Sequence, residues 1–186
     1  SCEATVYMNF NPISAECMSI GRPGDSDCCT LVDAEDIYDG QYTGLDSLMI
    51  IAVDGESIDP QEYDVQICGP GSHDVRLLTV DICGNRDSCE ASVTVENGNP
   101  YAYAHGFSDD GGEDCCLTVD LWDIDDGSYD PDGYVDSLYI SEVDGEPNWD
   151  TSVEICGPGD HTLTLRIVDV CGASDEDEAT VTIIND

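Results

Sequence analysis

The sequence predicts an all-β protein made of two sandwich domains in tandem. Blocks from the first half recur in the second, with Ile67 answered by Ile155 at an offset of 88 residues, so each repeat holds about 90 residues, an ordinary size for a small β-sandwich. Apolar residues alternate with polar ones, as in Leu117, Val119 and Leu121, which indicates half-buried strands. Clusters of Gly, Asp, Pro and Asn separate these runs as turns, and no stretch has the pattern of a capped amphipathic helix.

The repeat defines the domains and their strands. Residues 28–33, 46–50, 67–71, 80–84 and 91–95 match residues 115–120, 136–140, 155–159, 168–172 and 179–183. Residues 97–100 (NGNP) are the expected linker, because Pro cannot continue a central strand, so the predicted domains are 1–98 and 99–186. Residues 4–10 (ATVYMNF) also alternate. They are either the first strand of their own domain or a strand that pairs with the sheet edge of a neighbour.

The charge of the chain excludes several classes of partner. It has 42 acidic residues against four arginines and no lysine, a formal net charge of -38. Nucleic-acid backbones and anionic membrane surfaces both require positive charge, so neither is an expected partner. No apolar run approaches the roughly 20 residues of a membrane helix, so membrane insertion is not expected. The 40% hydrophobic content is high enough for a packed core.

Each repeat resembles the polycystic-kidney-disease-type (PKD) domain. The resemblance is carried by residues 128–133 (SYDPDG), 157–161 (GPGDH), 165–172 (LRIVDVCG) and 179–183 (ATVTI), and more weakly by 28–96. The family's WDFGDG segment is absent, and residues 141–146 (SEVDGE) stand in its place. The resemblance implies immunoglobulin-like sandwiches that act as spacers or binding modules in extracellular proteins and carry no catalysis.

Eleven cysteines without paired CxxC motifs indicate an oxidising, extracellular location and disulfides rather than zinc. The start at Ser1, without Met, favours a processed mature protein. A local bond between Cys83 and Cys89 is predicted across the intervening turn. Further bonds are predicted from one of each vicinal pair to the cysteine that ends an antiparallel strand: Cys28 or Cys29 to Cys68, and Cys115 or Cys116 to Cys156.

This scheme leaves Cys2, Cys17, Cys171 and one member of each vicinal pair unassigned. They can form further bonds within the chain, for example from Cys17 to the remaining first-domain cysteine, with one free thiol. Alternatively, Cys2 or Cys17 forms an intermolecular disulfide with Cys171 of a neighbouring subunit. The odd number of cysteines requires at least one leftover thiol.

Acidic loops are candidate calcium sites because Ca²⁺ takes several oxygen ligands from flexible loops. The second domain offers six carboxylates within fourteen residues: Asp123, Asp125, Asp126, Asp130, Asp132 and Asp136. The first domain has a shorter loop with Asp36, Asp39 and Asp46. The alternative is a solvated acidic loop, and a halophilic source would also give a high acid content without lysine.

No catalytic motif is present, and an enzyme is not expected. His73 and His161 occupy equivalent repeat positions, which favours a structural role. The sequence has no GxSxG and no HExxH. Trp122 and Trp149 either stack on sugar rings or fill the sandwich or its edges.

These observations predict a secreted structural protein, stabilised by disulfides and calcium, that assembles with copies of itself into an extracellular fibre or surface layer. The alternative is a non-catalytic binding or accessory module of a secreted enzyme or adhesin that contacts polysaccharide or a surface protein. A third possibility is an extracellular calcium buffer with many weak sites.

Overall fold

The computed structural model describes residues 13–59 and 64–184. The chain divides into two compact units, Ser1–Glu96 and Asn97–Asp186. The division falls two residues before the boundary expected from the repeat. The alternating segment 4–10 lies outside the described residues, so both interpretations of it stay open.

The first unit is built from strands and one short 3₁₀ turn, Ala34–Asp36. Its strands are β1 (Ile20–Pro23), β2 (Cys29–Asp33), β3 (Leu45–Val53), β4 (Glu56–Ser57), β5 (Asp64–Cys68), β6 (Gly71–Asp81) and β7 (Arg86–Glu96). A five-stranded sheet has the order β1-β7-β6-β3-β4, and β2 pairs with β5 in a second sheet. All pairs are antiparallel except β1 with β7, which is parallel.

The core of the first unit lies between these two sheets. Alternate residues of β6 and β7 face inwards, so that Val75, Leu77 and Val93 are fully buried. Val32 of β2 and Ile67 of β5 belong to the same apolar cluster from the opposite side. The period-2 alternation of the sequence therefore becomes the inner face of a sandwich.

The second unit repeats this arrangement. Its strands are β8 (Phe107–Asp110), β9 (Cys116–Asp120), β10 (Val135–Val143), β11 (Glu146–Asp150), β12 (Ser152–Cys156), β13 (Gly159–Asp169) and β14 (Ser174–Ile184). The larger sheet has the order β11-β10-β13-β14-β8, and β9 pairs with β12. Val119, Ile155, Leu163, Leu165 and Val181 share its core.

The alternating run at residues 117–122 does not form one continuous strand. Strand β9 ends at Asp120, and a single helical turn, α1 (Leu121–Ile124), follows. The Asp123 carboxylate accepts a hydrogen bond from the Asp120 amide at 2.9 Å, which closes this turn. Leu121 and Ile124 are still buried, because one helical turn returns both to the same side.

Two face-to-face sheets with this strand order make each unit an immunoglobulin-like β-sandwich. The predicted fold class, all-β with two tandem immunoglobulin-like domains, is confirmed. Within the described ranges, the longest helix is far too short to reach across a lipid bilayer.

Candidate functional site

The acidic loop of the second unit uses its carboxylates to hold its own backbone. Asp125 accepts a hydrogen bond from the Ser128 amide at 2.9 Å. Asp130 accepts from the Asp132 amide at 2.6 Å, and Asp132 in turn accepts from the Gly98 amide. The two bonds to Asp125 and Asp130 are local, and bonds of this kind are the usual reason that aspartate is common in turns. Asp125 and Asp130 are therefore engaged in turn formation, and Asp132 in a contact with a residue 34 positions away in the sequence.

Asp36 and Asp123 play one equivalent role in the two units. Each accepts a hydrogen bond from the amide that precedes a short helical turn, Asp33 N for Asp36 at 3.0 Å and Asp120 N for Asp123 at 2.9 Å. Asp36 also forms an ion pair with Arg22 at 2.5 Å. Both carboxylates therefore act as turn caps.

The remaining predicted ligands, Asp39, Asp46, Asp126 and Asp136, are exposed. Within residues 13–59 and 64–184, no three His, Cys, Asp or Glu side chains are grouped in a way that could hold a metal ion. The structure thus places the nine predicted ligands in loops, in the two helical turns and, for Asp46 and Asp136, in the first residues of strands β3 and β10, and it does not bring them together around one point.

One loop carboxylate has an unsatisfied atom. Asp130 is only 6% exposed, and its Oδ2 is buried without a hydrogen-bond partner in the described part of the chain. A buried carboxylate oxygen without a donor is costly, whereas a bound cation would satisfy it. Asp130 is thus the predicted ligand with the strongest structural reason to meet a cation.

A second feature recurs in both units, where an aspartate and a histidine join two turns. His73 Nδ1 lies 2.8 Å from Asp54 Oδ2, and His161 Nδ1 lies 2.8 Å from Asp144 Oδ2. The other ring nitrogen of each histidine lies 2.9 Å from a backbone carbonyl oxygen, that of Gly69 or of the equivalent glycine in the second unit. We call these two pairs the Asp–His clamps.

The clamps favour charged side chains. Because both ring nitrogens of each histidine face acceptors, the imidazole can donate two hydrogen bonds only when it is protonated. The hydrogen bond to Asp54 raises the pKa of His73, and that to Asp144 raises the pKa of His161. The same contacts lower the pKa of both aspartates. The structural role expected for these histidines from the repeat matches this geometry.

The disulfides partly follow the predicted scheme. Cys29 is bonded to Cys68 and Cys116 to Cys156, so each unit uses the second member of its vicinal pair. Each bond joins directly paired residues of a two-stranded sheet, with a Cα–Cα distance of 4.0 Å. The sequence alone does not decide which member of each vicinal pair forms the bond.

The predicted bond between Cys83 and Cys89 is wrong, because Cys89 is bonded to Cys17. Strand β7 starts at Arg86 and carries Cys89 about 10 Å along its axis, beyond the reach of a cysteine in the turn. Cys17 can reach Cys89 because the segment that precedes β1 runs beside β7, the parallel partner of β1. In this segment Ser19 Oγ accepts a hydrogen bond from the Ser92 amide at 2.9 Å. Because Cys17 and Cys89 are 72 residues apart in the sequence, spacing along the chain does not predict this bond.

The set of leftover cysteines also differs from the prediction. Cys17 and Cys171 are both disulfide-bonded, so neither is the spare thiol expected for an intermolecular bond. In the described part of the chain, the cysteines without a bond are Cys83, which is exposed, and Cys115, which is half-buried. Cys2 lies outside the described residues.

Several aromatic side chains lie on the surface of the second unit. The rings of Tyr101 and Tyr103 each stack with the ring of Tyr129, with centroid distances of 5.4 and 6.2 Å. Trp149 is 72% exposed and lies 5.9 Å from Tyr139, measured between ring centroids. Trp122 is also exposed. Neither tryptophan fills the interior of the sandwich, but Trp149 lies on the edge strand β11 of the larger sheet.

Comparison with known proteins adds little beyond the architecture. No family model matches the chain, and no curated protein matches it in sequence. Similar solved structures include fibronectin(III)-like modules of Clostridium thermocellum CbhA, 17% identical, with 90% of this chain and 91% of that chain covered and a TM-score of 0.35. Human mucin-like protocadherin EC1-2 is 10% identical, with 92% and 97% covered and a TM-score of 0.33.

A third similar structure is the Bacteroides ovatus protein SGBP-B of a mixed-linkage glucan utilization locus, in complex with a mixed-linkage heptasaccharide. It is 12% identical, with 90% of this chain and 44% of that chain covered and a TM-score of 0.30. At such values the fold assignment rests on the strand order of the chain itself.

Proposed function

We propose that the protein is a secreted structural subunit that assembles with copies of itself into an extracellular fibre or surface layer. The observation that carries the proposal is the distribution of thiols. Eight described cysteines are disulfide-bonded, whereas Cys83 in the first unit and Cys115 in the second are not. A chain with one unbonded thiol in each of two similar domains is suited to covalent linkage through either domain.

Disulfides support the extracellular part of the proposal. Such bonds persist in oxidising compartments and are rare in the cytosol. Each bonded two-stranded sheet also gains a covalent cross-link that resists local opening. Two sandwiches that are each cross-linked internally suit a mechanical or protective assembly.

Calcium is proposed as a stabiliser of this assembly. The net charge of -38 makes copies of the chain repel one another unless cations screen or bind the surface. Asp130 offers an unsatisfied buried carboxylate oxygen in the acidic loop, and carboxylate oxygen is the ligand type that Ca²⁺ prefers. Asp130 would hold the ion, and the ion would supply positive charge to the loop.

The first test is negative-stain microscopy and size-exclusion chromatography of one sample in about 5 mM calcium and again in excess chelator, a range that includes extracellular calcium affinities. We expect filaments or sheets in calcium that fray on chelation. Asp130→Asn should weaken the calcium effect, while Asp136→Asn, at an exposed position near the start of β10, serves as the matched control. A protein that stays monomeric in both conditions without reductant would contradict the proposal.

A second candidate function is a binding module for polysaccharide, which the exposed aromatics favour. Sugar rings stack on exposed aromatic faces, and Trp149 next to Tyr139 offers such a face. This function predicts a monomer that binds glycans on an array and loses binding in Trp149→Ala. Absence of glycan binding by the wild type would eliminate it.

A further inference from the structure

The two unbonded thiols occupy repeat positions whose counterparts are bonded. Cys83 corresponds to Cys171, since residues 80–84 match residues 168–172, and Cys115 corresponds to Cys28, since residues 115–120 match residues 28–33. Both Cys28 and Cys171 are disulfide-bonded. Each of the two positions therefore forms a disulfide in one unit and lacks one in the other.

The backbone around Cys115 has the same geometry as that around Cys28. Both residues have the left-handed conformation that is uncommon for a non-glycine residue, with φ of 53° and 57°. Both carbonyls accept a hydrogen bond at 2.8 Å from a glycine amide, that of Gly69 for Cys28 and that of Gly157 for Cys115. Each glycine directly follows the cysteine to which the other member of the vicinal pair is bonded. Cys115 is thus held in the conformation that its bonded counterpart adopts.

Cys83 likewise lies in the same turn as Cys171. The glycine that follows each cysteine has a positive φ, 82° for Gly84 and 86° for Gly172. Its amide donates to the carbonyl of the aspartate two residues before the cysteine, at 2.9 and 3.1 Å. Cys83 is exposed at this turn and therefore accessible to another molecule.

We propose that Cys115 of one copy and Cys83 of the next copy form an intermolecular disulfide, which joins the second unit of one chain to the first unit of another. The proposal rests on the proposed self-assembly and names its covalent contact. Within one chain, the first of these repeat positions is bonded at Cys28 of the first unit, and the second is bonded at Cys171 of the second unit. The unbonded cysteines also occupy one of each position, with the units exchanged: Cys115 in the second unit and Cys83 in the first.

This pairing gives an open polymer. A contact between different surfaces of two identical chains is heterologous, and it repeats without limit unless the rotation closes a ring. Both repeat positions would then be disulfide-bonded in every unit along the polymer. The exception is one unpaired thiol at each end of the polymer.

The bond requires an oxidant, and a small-molecule disulfide is sufficient. The Cys83 thiolate attacks one sulfur of that disulfide, which forms a mixed disulfide and releases one small thiolate. The Cys115 thiolate of the other copy then attacks the Cys83 sulfur and releases the second small thiolate. Two protein thiols are oxidised to one disulfide, and one small disulfide is reduced to two thiols, which take up the two protons that the protein thiols lose.

Acidic residues around both thiols make the reaction sensitive to ionic strength. Glu113 and Asp114 precede Cys115, and Asp81 and Asp87 lie near Cys83 in the sequence. Repulsion between these carboxylates opposes the approach of two copies and is screened at a Debye length of about 8 Å in 0.15 M salt. The test is therefore carried out at or above this salt concentration.

Two variants made in a Cys2→Ser background, Cys83→Ser and Cys115→Ser, test the pairing, and each keeps one of the two unbonded thiols of the described residues. Each is incubated alone with glutathione disulfide, and an equal mixture of the two is incubated in parallel, before electrophoresis without reductant. We expect a ladder from the wild type, monomer from each variant alone, and dimer from the mixture. Dimers from either variant alone would overturn the head-to-tail pairing.

Peptide mapping of the oxidised wild type gives an independent measurement that requires no variant to fold. It should recover the peptides of Cys83 and Cys115 joined by a disulfide. Cys2→Ser is the matched control and should retain the ladder. Loss of the ladder in Cys2→Ser, or a mapped bond from Cys2 to either thiol, would overturn the proposal.

Microscopy separates failure of this proposal from failure of the proposed function. If the Cys83→Ser/Cys115→Ser double variant still forms filaments and the oxidised wild type gives no ladder, the covalent contact is wrong and self-assembly stands. If the wild type gives neither filaments nor ladder, both are wrong.

Discussion

At the scale of single residues, the Asp–His clamps show how a strained turn is fixed. Asp54 and Asp144 have φ of 50° and 52°, in the left-handed region, where aspartate is one of the better-tolerated residues. Each also accepts a hydrogen bond at 2.9 Å from a backbone amide, Asp74 N or Thr162 N. One carboxylate therefore holds a strand, a histidine and its own turn in a fixed relation.

The clamps predict a defined pH dependence of stability. The raised histidine pKa values mean that stabilisation is complete below the ordinary value of 6.5 and is lost as the pH rises through the higher folded-state pKa. The lowered aspartate pKa values mean that it is present above 3.8 and lost as the pH falls through the lower folded-state pKa. The clamps therefore contribute most to stability between pH 3.8 and pH 6.5.

We expect His73→Gln/His161→Gln to lower the free energy of unfolding at pH 5.5 by about 1 kcal/mol per site, since each removes a charge-assisted hydrogen bond that is partly exposed. The loss should shrink at alkaline pH. Urea unfolding at several pH values measures this, with His105→Gln as the control. An equal loss at all pH values would show that the histidines contribute through packing alone.

At the scale of elements, each sandwich contains one sheet of only two strands. An isolated two-stranded sheet is marginal in water. In both units it is cross-linked, by Cys29–Cys68 between β2 and β5 and by Cys116–Cys156 between β9 and β12. The disulfides therefore stabilise the weakest layer of each unit.

Removal of one of these bonds should destabilise its unit strongly. The Cys116–Cys156 bond closes a loop with a separation of 40 residues, which corresponds to about 4 kcal/mol in the chain-entropy model. We expect Cys116→Ala/Cys156→Ala to lower the free energy of unfolding by about 2–4 kcal/mol in urea titrations. Both cysteines are replaced because a lone Cys156 could pair with the unbonded Cys115. Unchanged stability would show that packing alone holds the sheet.

At the scale of the whole molecule, the charge distribution is uniformly acidic. Counting from the sequence, residues 1–98 hold 19 acids and three arginines, a charge of -16, and the rest hold 23 acids and one arginine, a charge of -22. Both units therefore experience self-repulsion that works against compact structure. Cations must reduce this repulsion, by screening or by binding.

Screening and binding predict different melting curves. In chelator, we expect the melting temperature to rise when NaCl increases from 0.01 to 0.15 M, because the Debye length falls from about 30 to 8 Å. Calcium at matched ionic strength should raise it further, since bound ligand stabilises the native state by mass action. Calorimetry with magnesium as the control measures both effects. If calcium acts only as strongly as NaCl, calcium binding is wrong and salt adaptation explains the composition.

The candidate sites were less predictable than the fold, because they depend on residues distant in sequence. The acidic loop suggested one calcium site, but Asp123 caps a helical turn and Asp132 accepts a hydrogen bond from Gly98. Counting carboxylates could not show which backbone amides they would meet. The orphaned oxygen of Asp130 appears only when burial and hydrogen bonds are both known.

The sequence by itself determined the two-domain, all-β architecture, because the repeat and the period-2 alternation can be read directly along the chain. The immunoglobulin-like assignment followed from the resemblance to the PKD domain. The sequence also limited the disulfide partner of Cys68 to Cys28 or Cys29, and that of Cys156 to Cys115 or Cys116. Only the tertiary structure decided that Cys17 meets Cys89 and that Cys83 and Cys115 stay unbonded. Disulfide pairing depends on the distance between Cα atoms in the folded chain, and the packing of strands sets that distance rather than spacing along the sequence.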